Sequence, residues 1–139
     1  TFSDSLTADH CFAASGEQAR HGEKVTWVIL DRFTHWLQTY ASKTTNAEET
    51  GQGFDRFLGP RIHPGYVYTD NSKEFEKCFR DNGYLCDTST PCRPHTNGVA
   101  ERAVRKIKEG TSCTLIQSGF NVEWWVEAQR CFASFTALP

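Results

Sequence analysis

Val25-Thr26-Trp27-Val28-Ile29-Leu30 (VTWVIL, residues 25–30) decides the fold of this chain. A continuous apolar run this short, rich in β-branched residues, is the pattern of a strand buried on both faces. Before it, Leu6 to Phe12 reads as a second strand, with Asp9 and His10 within it. After it, Asp31-Arg32-Phe33 turns the chain into a third, His35 to Ala41, with Trp36 and Tyr40 on one face. Three strands with such short links form an antiparallel meander.

Beyond the meander the period changes. Thr45-Asn46-Ala47-Glu48 is a capping-box signature that starts a helix. Gly51 and Gly53 weaken that helix, each costing about 1 kcal/mol against Ala, and Gly59-Pro60 ends it. Gly65 to Thr69 (GYVYT) is a fourth strand that delivers Asp70 at its C-terminal end. Ser72 to Asp81 follows as a helix with Phe75, Cys78 and Phe79 on one face and Asn82-Gly83 as its stop. Tyr84 to Asp87 is a fifth strand, and Thr88 to Asn97, rich in Thr, Pro and polar residues, reads as a mobile loop. After Gly98 a long helix carries Ala100, Val104, Ile107, Thr111 and Leu115 on one stripe until Ser118-Gly119. Asn121 caps a last helix containing Trp124, Trp125, Ala128 and Cys131.

This order implies an α/β fold: a mixed five-stranded sheet, three antiparallel strands and then a parallel βαβ portion, flanked by helices. A right-handed crossover lays the fourth strand parallel to the first and beside it. Asp9 and Asp70 are thereby drawn together.

The 139 residues form one domain, 1–139, and 38% hydrophobic residues with ten Phe and four Trp is a folding composition. No apolar run is long enough to cross a bilayer, and TFSDSLTADH lacks the pattern of a signal peptide. The six cysteines (11, 78, 86, 92, 113 and 131) include no C-x-x-C pair and read as single buried thiols of an intracellular, reducing compartment. Cys86, Cys92 and His95 lack a fourth ligand at a spacing suited to zinc. The net charge of −2 argues against a surface that grips nucleic acid all round. Between Arg93 and Lys108, however, five basic residues (Arg93, Arg102, Arg105, Lys106 and Lys108) surround one acid, Glu101. A solvated helix face is the ordinary reading of such a run.

Asp9, Asp70 and Glu101 are the candidate site. Magnesium takes hard oxygen ligands, and two such ions held by carboxylates can serve both oxygens of an in-line phosphoryl displacement. Each residue also has a plain structural reading: Asp70 before Asn71-Ser72 as a helix cap, Glu101 as a first-turn acid favoured by the helix dipole.

Tyr68-Thr69-Asp70-Asn71, followed by Glu74-Phe75, resembles the segment around the second catalytic Asp of retroviral and retrotransposon integrases. Pro94-His95-Thr96-Asn97-Gly98-Val99-Ala100-Glu101-Arg102 resembles their segment around the catalytic Glu, with His95 where Gln is common. Val28 to Trp36 (VILDRFTHW) is similar to a third stretch, whose acid, here Asp31, is non-catalytic. Trp124-Trp125 and Ala128 resemble the family's final helix.

The resemblance implies a ribonuclease-H-like fold and a D,D,E triad of Asp9, Asp70 and Glu101 holding two Mg²⁺ (or Mn²⁺) ions. Asp4 and Asp31 compete with Asp9 for the first position. It implies 3′-end processing and strand transfer of element DNA into target DNA by a homo-oligomer, with no small-molecule substrate and no membrane. Asn71, His95, Asn97, Gly98, Arg102, Arg105, Lys106 and Lys108 would contact DNA. The family's zinc-binding and C-terminal DNA-binding modules are not in these residues, so a catalytic core from a longer product is expected, nuclear in a eukaryotic host. The alternatives are an insertion-sequence transposase, a plain nuclease of the same fold, and a domesticated copy that binds DNA or partners without catalysis.

Overall fold

The computed structural model describes residues 2–12, 19–59, 62–69, 73–88 and 98–136. The strands are β1 (Leu6–Phe12), β2 (Val25–Asp31), β3 (Leu37–Ser42), β4 (Val67–Thr69) and β5 (Cys86–Thr88). The helices are α1 (Ala47–Leu58), α2 (Lys73–Asn82), α3 (Gly98–Ser118) and α4 (Trp125–Thr136), the last preceded by a single 3-10 turn at Val122–Trp124. They form a mixed α/β fold with one sheet in the order β3-β2-β1-β4-β5. β1 and β3 pair antiparallel with β2, and β4 lies parallel to β1 with Thr7 opposite Tyr68. The meander and the crossover are thus as the sequence order implies, and β1 is central.

Alternation along β1 divides its side chains between two faces. Leu6 and Ala8 join Val25, Trp27 and Ile29 of β2 under Phe54 and Phe57 of α1 and Phe75 and Phe79 of α2. The rings there interlock: Phe54 meets Phe79 edge-on at 5.4 Å, and Phe75 stacks on Phe79 at 5.7 Å. On the other face Cys11, Val28 and Leu37 pack against Ala103 and Ile107 of α3 and Ala133 of α4. α3 and α4 approach so closely that a Cβ on Gly110 would stand 2.3 Å from the Phe132 ring. Among the described residues, no helix is long and apolar enough to cross a membrane.

Several local expectations are corrected. The α1 cap is Asn46 rather than Thr45, and its side chain accepts from the Glu49 N–H at 2.8 Å. Glu49 then turns back to Thr44, whose hydroxyl and N–H it accepts at 2.8 and 3.1 Å, and to the Ser42 hydroxyl. Gly51 and Gly53 are tolerated because α1 packs closely: Gly53 is buried, with Tyr40 within 3.7 Å of where a Cβ would stand. Trp36 precedes β3 instead of sharing a strand face with Tyr40, and is 40% exposed. Of the cysteines, Cys11 and Cys78 are buried while Cys86, Cys113 and Cys131 are exposed, so the buried-thiol reading holds for only two of these five. Cys92, and residues 89–97 of the expected loop, lie outside the described residues.

Candidate active site

Asp9 sits in the middle of the central strand, opposite Val28 of β2. Residues directly opposite in an antiparallel pair share a face, and Val28 belongs to the cluster under α3. Asp9 therefore projects toward α3, while its neighbour His10 projects the other way, stacked 4.5 Å from Phe75 and edge-on to Trp27. The half-buried Asp9 carboxylate accepts the His10 N–H at 2.8 Å, which orients it along the strand.

Electrostatics give the same placement. Burial pushes the Cys11 thiol above its ordinary range, the Lys108 ammonium opposes that rise, and the Asp9 charge adds to it. Cys11 follows Asp9 by two residues on the same side of β1, so the strand's acid and a cation of α3 act on one point between strand and helix.

Glu101 lies in the first turn of α3, exposed, one residue after buried Ala100. α3 covers the face to which Asp9 points, so the structure carries these two acids on the same side of the sheet. Asp70 follows directly on Thr69, the buried last residue of β4, and itself lies outside the described residues, as do Asn71, His95 and Asn97. Gly98 is half-buried at the start of α3, and Arg102, Arg105, Lys106 and Lys108 are all exposed along it. Asp9 and Glu101 supply hard oxygen donors suited to Mg²⁺ or Mn²⁺. Among the described residues, no group of three or more His, Cys, Asp or Glu is gathered at ligating distance.

The two competitors for the first position are unequal to it. Asp31 is fully buried and accepts the Ser3 N–H at 3.3 Å, the Thr34 N–H at 2.9 Å and the Thr34 hydroxyl. Those bonds fasten the turn between β2 and β3. Asp4 is exposed, before β1 begins, with its backbone against Gly65.

The turn expected at Asp31-Arg32-Phe33 runs on through Thr34, and His35, expected to open the third strand, lies before β3. His35 has φ +62°, and its N–H donates to the Asp31 carbonyl at 2.8 Å. His is one of the non-glycine residues enriched in that left-handed region, and Asp31 followed three residues later by Thr34 was the available signal for a side-chain-stabilised turn.

No family model matches the chain. Its fold matches that of solved retroviral integrase cores. The catalytic core domain of BIV integrase superposes with a TM-score of 0.63 at 16% identity, covering 91% of this chain and 80% of that one. A chain of the simian T-cell lymphotropic virus intasome, solved in complex with a PP2A regulatory subunit, gives 0.67 at 17% identity, again over 91% of this chain. This chain spans 47% of the length of that one. At these identities the likeness is one of fold.

Proposed function

We propose that this chain is the catalytic core of a D,D,E polynucleotidyl transferase that performs DNA integration. The observation that carries the reading is the placement of Asp9: an acid in mid-strand at the centre of the sheet, turned to the face covered by the helix that bears Glu101. An Asp at a strand end has an ordinary use in turns, whereas a carboxylate half-buried in the middle of a central strand carries a desolvation cost. The fold shared with integrase cores supports the same reading.

Asp9, Asp70 and Glu101 would hold two divalent ions, Mg²⁺ or Mn²⁺. When bound, such a pair supplies charge to activate the attacking oxygen and to stabilise the leaving one. In end processing the attacking oxygen is that of water; in strand transfer it is the 3′-hydroxyl of element DNA. In strand transfer that oxygen bonds to a target phosphorus, the target strand's 3′-oxygen leaves with a proton, and one phosphodiester replaces another without redox change. The cations of α3, Arg102, Arg105, Lys106 and Lys108, offset the phosphate charge drawn to the acids. Asn71, His95, Asn97 and Gly98 would shape the approaches to the DNA. DNA and further copies of the chain are the partners, and in a eukaryotic host the work is nuclear.

The test is joining of a labelled oligonucleotide 3′-hydroxyl to duplex DNA, with Mg²⁺, with Mn²⁺ and with chelator. Joining is expected only with metal, and Asp70→Asn and Glu101→Gln are each expected to remove it. Full activity in either variant would overturn the assignment, and release of cut DNA without joining would make the protein a nuclease.

A further inference from the structure

A cleft of about 450 Å³ lies between the β2–β3 turn and the first half of α3. Four of its lining residues are basic or titratable to cations: Arg32 and His35 from the turn, Arg102 and Lys106 from the helix. Its floor is apolar, with Leu30, Leu37 and Ala103. No acid lines it. Asp31, which precedes Arg32, is buried with its carboxylate taken by Ser3 and Thr34. Among the described residues, none of Arg32, Arg102 and Lys106 is ion-paired with a carboxylate. Like charges carried on two elements raise the positive potential of the cleft and favour an anion there.

The turn is built to present them. The bonds from Ser3 and Thr34 to Asp31, the His35 N–H to the Asp31 carbonyl, and the Trp36 N–H to the Thr34 hydroxyl at 3.2 Å hold the turn from Asp31 to Trp36 in one shape. That shape keeps His35 left-handed and leaves Phe33 68% exposed between Arg32 and His35. An exposed ring between cations suits nucleic acid, whose bases and sugars offer faces for packing. Arg102 folds back along its own helix, its Nη1 3.3 Å from where a Gly98 Cβ would stand.

Position completes the case. Leu30 of the cleft is opposite Thr7, whereas Asp9 is opposite Val28. Two residues of strand separate them, about 7 Å, so a DNA strand that reaches Asp9 also reaches the cleft.

We propose that Arg32 and His35 of the β2–β3 turn, with Arg102 and Lys106 of α3, form a second phosphate-binding subsite that holds the DNA strand beside the cleavage position. The subsite rests on the DNA-joining function proposed above and adds to it a turn that no catalytic role involves. Guanidinium forks match phosphate oxygens in pairs, so the arginines are the main determinants.

The test is binding of a fluorescein-labelled 30-base-pair duplex by anisotropy, without divalent metal, over a series of salt concentrations. Arg32→Ala is expected to weaken binding several-fold and to lower the log–log salt slope by about 1. Arg32→Lys should restore the slope, and Lys77→Glu on α2, at the opposite side of the sheet, should change neither. Thermal melts confirm that each variant folds. An unchanged slope in Arg32→Ala, an equal loss in Lys77→Glu, or no binding by the wild type would overturn the subsite. Displacement of the duplex by polyglutamate as readily as by unlabelled DNA would overturn it in favour of an acidic protein partner. Binding lost on Arg32→Ala without any metal-dependent joining by the wild type would leave the subsite standing and remove the catalytic reading.

Discussion

The two faces of the central sheet do different work with alternate residues of the same strand. Toward α1 and α2, β1 presents Leu6, Ala8 and His10 to a layer of interlocking Phe rings. Toward α3 it presents Thr7, Asp9 and Cys11 to a thinner layer of Val, Ala and Ile, bordered by the acids and cations of the candidate site. The first face is packed mainly by apolar rings, with the His10 imidazole stacked among them. The second keeps a carboxylate half-buried beside the exposed charges of α3. The difference teaches that stability and chemistry are separated by the period of two in one strand, so substitutions one residue apart should fail in different assays.

The largest expected effect on stability is at the ring layer. Phe75, fully buried, stacks on His10 and Phe79, and Phe75→Ala is expected to cost about 3–5 kcal/mol in urea unfolding. A cost no greater than that of a surface substitution would erase the distinction between the faces. Where α3 crosses α4, Gly110→Ala would drive a methyl into Phe132 and is expected to cost about 1–3 kcal/mol. Phe132→Ala added to it should recover part of that loss, a coupling that a double-mutant cycle measures.

At the turn, Asp31→Ala leaves the Ser3 and Thr34 donors without their acceptor and is expected to cost about 1–3 kcal/mol while loosening the DNA subsite. Retained stability together with retained DNA affinity would show that the turn is not held by Asp31. The smallest effect lies at the α1 cap. Although partial burial raises the Glu49 carboxyl, hydrogen bonds from Ser42 and Thr44 and the nearby Lys43 outweigh it, and the net shift is downward from 4.5. A lowered folded value means stability present above pH 4.5 and lost as pH falls through the lower folded value. Glu49→Gln should therefore melt slightly below the wild type at neutrality and flatten the acid limb below pH 4.5, where the two proteins converge.

Much of this was legible in the sequence because it rests on periodicity. β1 was readable to its ends, β2 to within one residue, and the Ala100–Ile107–Thr111 stripe of α3 from its spacing, since burial of an amphipathic element leaves its period in the residues. What stayed hidden depends on approach between distant segments. Nothing near Gly110 announces Phe132, and nothing near Gly65 announces the Asp4 carbonyl, 2.7 Å from where its Cβ would stand. Cys131 falls on the exposed side of α4, away from the buried Trp125, Ala128, Gln129 and Ala133. Of the site, Asp9 was placed by strand order and Glu101 by motif. The cleft was not legible at all, because Arg32 and Arg102 are 70 positions apart and meet only through the packing of α3 on β2.

The most direct measurement pairs two readings on Asp9→Asn: the rate of metal-dependent strand transfer and the urea midpoint. Loss of an outer partner of a metal site alone typically costs 10–100-fold. Removal of a metal-holding carboxylate on the α3 face is therefore expected to lower joining by at least about 100-fold with the midpoint unchanged. Undiminished joining by Asp9→Asn, with the protein folded, would contradict the assignment of the central strand's acid to catalysis.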